Sequence, residues 1–182
     1  MLRDLILQNR SRRRFHQDPV ERETLRELVD LARISASGGN RQALKFFIVC
    51  DAETNARVFP LIGLAGSPTA DEAPTAYIVI LGDTRISTGF GCDHGIAAQS
   101  IMLGATEKGL GGCMVGMVDR RRLRTVLDIP PHLEVLLLLV LGRPKEKAVI
   151  DTLPADGNTQ GTWDEEGVRH VPKRSLDDIV LE

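Results

Sequence analysis

Four arginines fall within five positions, Arg10–Ser11–Arg12–Arg13–Arg14, on a chain of 182 residues whose formal net charge is -2. A second basic pair, Lys173–Arg174, stands near the other end of the sequence. Arginine concentrated on a mildly acidic chain is a local device for meeting an anion. Its planar guanidinium donates two parallel hydrogen bonds to a phosphate or carboxylate. Between the clusters lie two glycine-bearing loops, SGGNRQ at 37–42 and GLGGCMVG at 109–116. Their backbone amides can approach a flat polar ligand closely. Neither loop is a G-x-G-x-x-G after a strand or carries a Walker lysine, so no dinucleotide or triphosphate site is indicated. Alternation along the basic segment turns Arg10 and Arg13 inward with Phe15 and leaves Arg12 and Arg14 facing water.

The remaining chemistry-bearing residues do not assemble by spacing. There is no Ser/His/Asp arrangement and no carboxylate pair to nominate, so no catalytic side chain is assigned. Cys50, Cys92 and Cys113 are odd in number and form no CxxC pair. That excludes a disulfide framework or a zinc site and suits a reducing cytoplasm. The histidines His16, His94, His132 and His170 show no ligand spacing and read as structural or surface residues. Aromatics make up only 4% of the chain, with one Trp and one Tyr. A nucleic-acid module built on the arginines would need stacking platforms and a basic balance, and both are missing. The start, MLRDLILQNR, is too short in apolar length for a signal peptide, and VLLLLVL at 135–141 is too short to span a bilayer.

The elements that must position these residues follow from hydrophobic period. Leu25, Leu28, Val29 and Ala32 lie at helical spacing in 21–35, and a second helix is expected over 53–65. Strands are expected at 45–50, 75–83 and 134–142, the last two as apolar runs buried on both faces. The segment 93–110 reads as a helix with almost no polar face, rich in Gly95, Ala97, Ala98, Gly104 and Ala105, which makes it a core or interface helix. A glycine-rich exit is expected at 111–118 and a short helix at 119–129 with Asp119 as its N-cap. The polar stretch 145–170 is too long for an idle connection; it wraps something or is partly disordered. Strands alternating with helices indicate a single α/β or α+β domain.

In this order the segments resemble the nitroreductase family. RSRRRF followed by SASGGNRQ is similar to the family's R-S-x-R-x-F opening and its P-S-x-x-N-x-Q motif. DHGIAAQSIMLGATEKGLGGCMVGMVD is similar to its long central helix and G-L-G-x-C-x-x-G turn. VLLLLVLGRP and VPKRSLDDIV match its closing strand and C-terminal motif. The resemblance implies an α+β fold with a central, mainly antiparallel sheet flanked by helices. It implies one domain over 1–182, with 145–182 as a C-terminal excursion wrapping a homodimer. It further implies an enzyme in which NAD(P)H passes a hydride to N5 of bound FMN, and a nitroaromatic, quinone or similar acceptor then takes the electrons by a ping-pong mechanism.

Carried over residue by residue, Arg10, Ser11 and Arg13 would meet the FMN phosphate and ribityl chain, and Lys173 and Arg174 would complete the phosphate site. Ser37, Asn40 and Gln42 would lie near the isoalloxazine ring, the Ser37 segment reaching it from the other subunit. Met114, Val115, Gly116 and Met117 would form the turn against the ring. Three departures bear on the substrate side: Ala36 stands where the family has proline, Ala43 and Leu44 stand where it has Pro-Trp, and 82–93 is short where many members carry a cover. They leave open a non-catalytic alternative, a flavin store or redox sensor. Neither nucleic acid nor a membrane is expected as a partner.

Overall fold

The computed structural model describes residues 1–181. Its body is a five-stranded antiparallel sheet. The central strands are β3 (Ala76–Asp83) and β5 (Leu133–Pro144), with β2 (Leu44–Val49) on the outer side of β3. The far edge of β5 is shared between β4 (Gly111–Val115), which pairs with residues 138–142, and the two-residue β1 (Phe15–His16), which pairs with 143–144. Every residue of β3 is buried, because helices cover both faces. The period of two then divides the core. Tyr77, Val79 and Leu81 join Leu138 and Val140 on one face, while Ala76, Ile78 and Ile80 join Leu139 and Leu141 on the other.

Helices α2 (Arg22–Ile34) and α4 (Asp93–Glu107) pack together over the second face. Helices α3 (Ala52–Val58) and α5 (Arg120–Val126) sit over the first. A short helix, α1 (Leu2–Gln8), precedes the basic segment and touches α4. Asp119 caps α5 as expected, its carboxylate accepting from the Arg122 N–H at 3.0 Å. Helix α3 stops at Val58, short of the expected 65, as the chain tightens into a 3-10 turn at Pro60, which has no N–H to continue the ladder. Helix α4 ends where Gly109 takes a left-handed φ of 73°.

Two expectations change. The glycine-rich exit at 111–118 is a core strand over its first five residues, β4. Its glycines serve close approach, since a Cβ on Gly112 would strike the Val140 carbonyl and one on Gly111 would lie 2.8 Å from Arg12 Cγ. The stretch 145–170 is ordered as well. It forms a small separate sheet in which β6 (Lys147–Thr152) runs parallel to β8 (Val168–Lys173), with β7 (Thr162–Trp163) antiparallel on the other side of β8. Among the described residues no helix is long and apolar enough to cross a membrane.

Candidate functional site: a carboxylate-free basic cavity

The basic segment is seated from both ends. Phe15 is fully buried beneath β5, and Ser11 bridges Gly112 of β4. The Arg12 N–H donates to the Gly112 carbonyl at 2.8 Å, and the Lys145 N–H donates to the Arg14 carbonyl at 2.9 Å. So held, Arg10, Ser11 and Arg13 face a cavity of about 220 Å³ with Gln99 of α4 and Arg169 and Lys173 of β8. Four cations converge there, and none of the residues lining the cavity is an aspartate or glutamate. Burial lowers the Arg10 pKa below its ordinary value, and its Nε has no hydrogen-bond partner. Four converging cations with no carboxylate among them call for an anion.

Arg169 and Gln99 are absent from the residues expected on sequence. The signal for Arg169 was available: read as a strand, 168–173 places residues 169, 171 and 173 on one face, and Arg169, Val171 and Lys173 do line the cavity. Arg174 lies one residue past the end of β8; it is exposed and lines no part of the cavity. Gln99 had no signal, because only docking of α4 against the N-terminal segment brings it there.

The expectation that Arg12 and Arg14 face water is overturned. Arg14 pairs with Glu72 and donates to the Gly66 carbonyl at 2.8 Å. Arg12 is half-buried over Gly111, and desolvation lowers its pKa against the opposing pull of Glu146. Alternation predicts exposure only where one side of a strand is open. This segment is wedged between β4 and the 66–72 loop, so both sides are covered.

Ser37, Asn40 and Gln42 lie elsewhere on this chain. The Gly38 N–H donates to the carboxylate of Asp93 at 2.8 Å, tying the loop to the start of α4. Asn40 and Gln42 both hold left-handed backbone, φ 53° and 51°. That conformation costs of order 1 kcal/mol for a residue with a Cβ, so the loop is held by its surroundings. Ser37 and Gln42 border a separate recess of about 370 Å³ beside Phe46 and Ala97. No residue lines both this recess and the basic cavity.

Met114, Val115, Gly116 and Met117 follow along β4 from the Ser11–Gly112 bridge. At about 3.3 Å per residue, Gly116 stands about 13 Å further along the chain than Gly112. Val115 is buried, but Met114 and Met117 are 39% and 75% exposed. The turn itself is fixed, with the Gly63 N–H donating to the Met117 carbonyl at 2.8 Å and Arg120 reaching the Gly116 carbonyl at 3.4 Å.

The model of the nitroreductase family matches residues 6–72 and 62–143. The chain belongs to the nitroreductase family. An FMN reductase (NAD(P)H) of Bacillus subtilis is 26% identical over 165 residues, 79% of this chain and 66% of that protein. An NADPH-flavin oxidoreductase of Vibrio harveyi is 25% identical over 170 residues, 84% of this chain and 70% of that one. A nitroreductase family protein of Clostridium novyi NT superposes with TM-score 0.69 at 27% identity, over 80% of this chain and 87% of that one. The family protein of Streptococcus pneumoniae TIGR4 superposes over the whole of both chains with TM-score 0.75 at 15% identity, which speaks to the fold alone. This nitroreductase-family chain is therefore an oxidoreductase with an α+β fold.

Proposed function

We propose that the basic cavity holds the phosphate of FMN and that the chain is an NAD(P)H-dependent flavin oxidoreductase working as a homodimer. The observation that carries this reading is the convergence of Arg10, Arg13, Arg169 and Lys173, with Ser11, on a cavity lined by no carboxylate. The residues fit the group: four cationic side chains, with the Ser11 hydroxyl, line a half-open cavity that holds no carboxylate. The relatives named for FMN and NAD(P)H support the same cofactor and donor. Bound FMN supplies the two-electron chemistry between NAD(P)H and an acceptor of the nitroaromatic or quinone type.

The chain's own residues bind, orient and exclude water. Arg10 and Arg13 anchor the phosphate from the body, Arg169 and Lys173 from β8, and Arg174 contributes only long-range charge. The Ser11–Gly112 bridge ties the phosphate-binding segment to the strand that leads into the 114–117 turn, whose Met114, Val115, Gly116 and Met117 would hold the flavin ring. Ser37, Asn40 and Gln42, too separate to join the cavity of their own chain, reach the ring of the partner subunit. Three open surfaces support a dimer: the Gly95–Ile96–Gln99 side of α4, the exposed methionines, and the apolar tail of Leu176, Ile179, Val180 and Leu181. In the assembly, the excursion over 145–181 lies against the second subunit.

The test is direct. The purified protein is expected to be yellow, to release FMN on heating, to oxidise NAD(P)H in the presence of menadione or nitrofurazone, and to scatter light as a dimer carrying one flavin per chain. A colourless protein that fails to take up added FMN would overturn the cofactor assignment. A yellow protein without turnover would leave only flavin binding.

A further inference from the structure

A second cleft, of about 420 Å³, opens between the small C-terminal sheet and the body, next to the basic cavity. Its floor carries the chain's only tryptophan, Trp163, 51% exposed on β7. In the antiparallel register Trp163 stands directly opposite Arg169 on β8, so the indole and the guanidinium project from the same face of the sheet. Gly161 lets the chain lie close beneath them, since a Cβ there would sit 2.9 Å from the His170 carbonyl and 3.2 Å from Arg169 Nε. The opposite wall carries Arg13, Arg14 and Lys145, with Glu72 and Glu146.

The charges in the cleft do not cancel. Glu72 is taken by Arg14, and Glu146 accepts from the Arg13 backbone N–H at 2.7 Å. The side chains of Arg13, Lys145 and Arg169 make no ion pair or hydrogen bond among the described residues. A flat indole left half in water beside unpaired cations recognises a ligand with an aromatic face and an anionic end. Base stacking on such a ring is tolerant of base identity, and phosphate suits the arginine fork.

We propose that this cleft is a nucleotide subsite, distinct from the flavin cavity although it shares Arg13 and Arg169 with it. A nucleobase stacks on Trp163, and the phosphate meets Lys145, the cleft cation that the flavin phosphate does not engage. Lys145 belongs to this cleft and not to the flavin cavity, which separates the two sites experimentally.

The experiment uses the flavin-loaded, full-length protein and AMP as the probe, with adenosine and inorganic phosphate as its two halves. Binding is counted by equilibrium dialysis, and the emission of Trp163 reports where the ligand sits. AMP is expected to bind saturably and to change that emission, with adenosine and phosphate each at least tenfold weaker. Lys145→Ala and Trp163→Leu should each weaken AMP at least tenfold while the flavin spectrum is unchanged, and Trp163→Phe should keep most of the binding. AMP that binds Lys145→Ala as well as the parent protein, phosphate as effective as AMP, or AMP binding that tracks flavin release would each overturn the subsite. The visible spectrum, recorded first, tests the flavin assignment separately, since the dialysis count does not depend on it.

Discussion

The two halves of the basic cavity are built by different physics. Arg10 and Arg13 stand on a segment whose next neighbour, Phe15, is fully buried and whose backbone is bonded into β4 and residue 145. Arg169 and Lys173 stand on β8, in a sheet whose strands contain no fully buried residue. That sheet is held by its ladder and by polar contacts. Chief among them is His170, whose Nδ1 lies 2.7 Å from Asp151 and whose Nε2 lies 3.1 Å from Asp164. One half of the cavity is therefore as rigid as the core and the other is only as firm as exposed hydrogen bonds allow. An anion bridging them is stabilised by the first and itself stabilises the second.

The largest effect is expected in the rigid half. Phe15→Ala empties a core position packed against Gly142 and should cost about 3–5 kcal/mol of stability, read from denaturant unfolding. A loss below about 1 kcal/mol would mean that the segment is not anchored by burial. Hydrogen exchange draws the same contrast by another route. Amides of β3 and β5 should open only near the global unfolding free energy, whereas those of β6 and β8 exchange far sooner, and added FMN should slow the latter selectively.

Of intermediate size are the cavity cations. Arg13→Ala should weaken FMN by about 1.5–3 kcal/mol, the range for a charge-assisted bond, as measured by flavin titration of the apoprotein. Arg174→Ala should change it little, and Arg14→Ala should lower stability through Glu72 while leaving the flavin in place. An Arg174 effect equal to that of Arg13 would mean that the residue beyond β8 turns into the cavity when the cofactor binds.

The smallest effect is pH-dependent. Donating hydrogen bonds to Asp164, then to Asp151, raises the His170 pKa above its ordinary 6.5. The stabilisation is therefore complete below that value and fades as pH rises through the raised one. Between about pH 6 and 9, protease cleavage within 154–167, normalised to a peptide substrate, should quicken in the parent protein. In His170→Ala it should be fast and flat. A parent protein with no such rise would show that the ion pairs are not what holds the small sheet.

Much of the body was legible in the sequence because its signals are periodic and local. Leu25, Leu28 and Ala32 announce α2, and the unbroken apolar runs announce β3 and β5, since a strand buried on both faces tolerates no polar position. The basic segment and its inward pair, Arg10 and Arg13, could be picked out from charge and alternation. The misses have a common cause. Alternation exposes Arg12 and Arg14 only where one side of the segment is open, and the 66–72 loop closes that side. Gly111 and Gly112 looked like a turn because glycine permits turns, yet here they permit the Arg12 side chain and the β5 backbone to come within contact.

Residue type at short spacing carries the family motifs, the order of helices and strands, and the cationic residues Arg10, Arg13 and Lys173. Folding adds Arg169 and Gln99 to them and leaves Arg174 out. Gln99, Arg169 and Lys173 come from elements nearly ninety residues or more away in the chain, and their convergence depends on how α4 docks and on which face of β8 turns inward. That choice also left Trp163 opposite Arg169. Cross-strand register is set by the pairing of β7 with β8, a long-range hydrogen-bonding decision that no local pattern encodes.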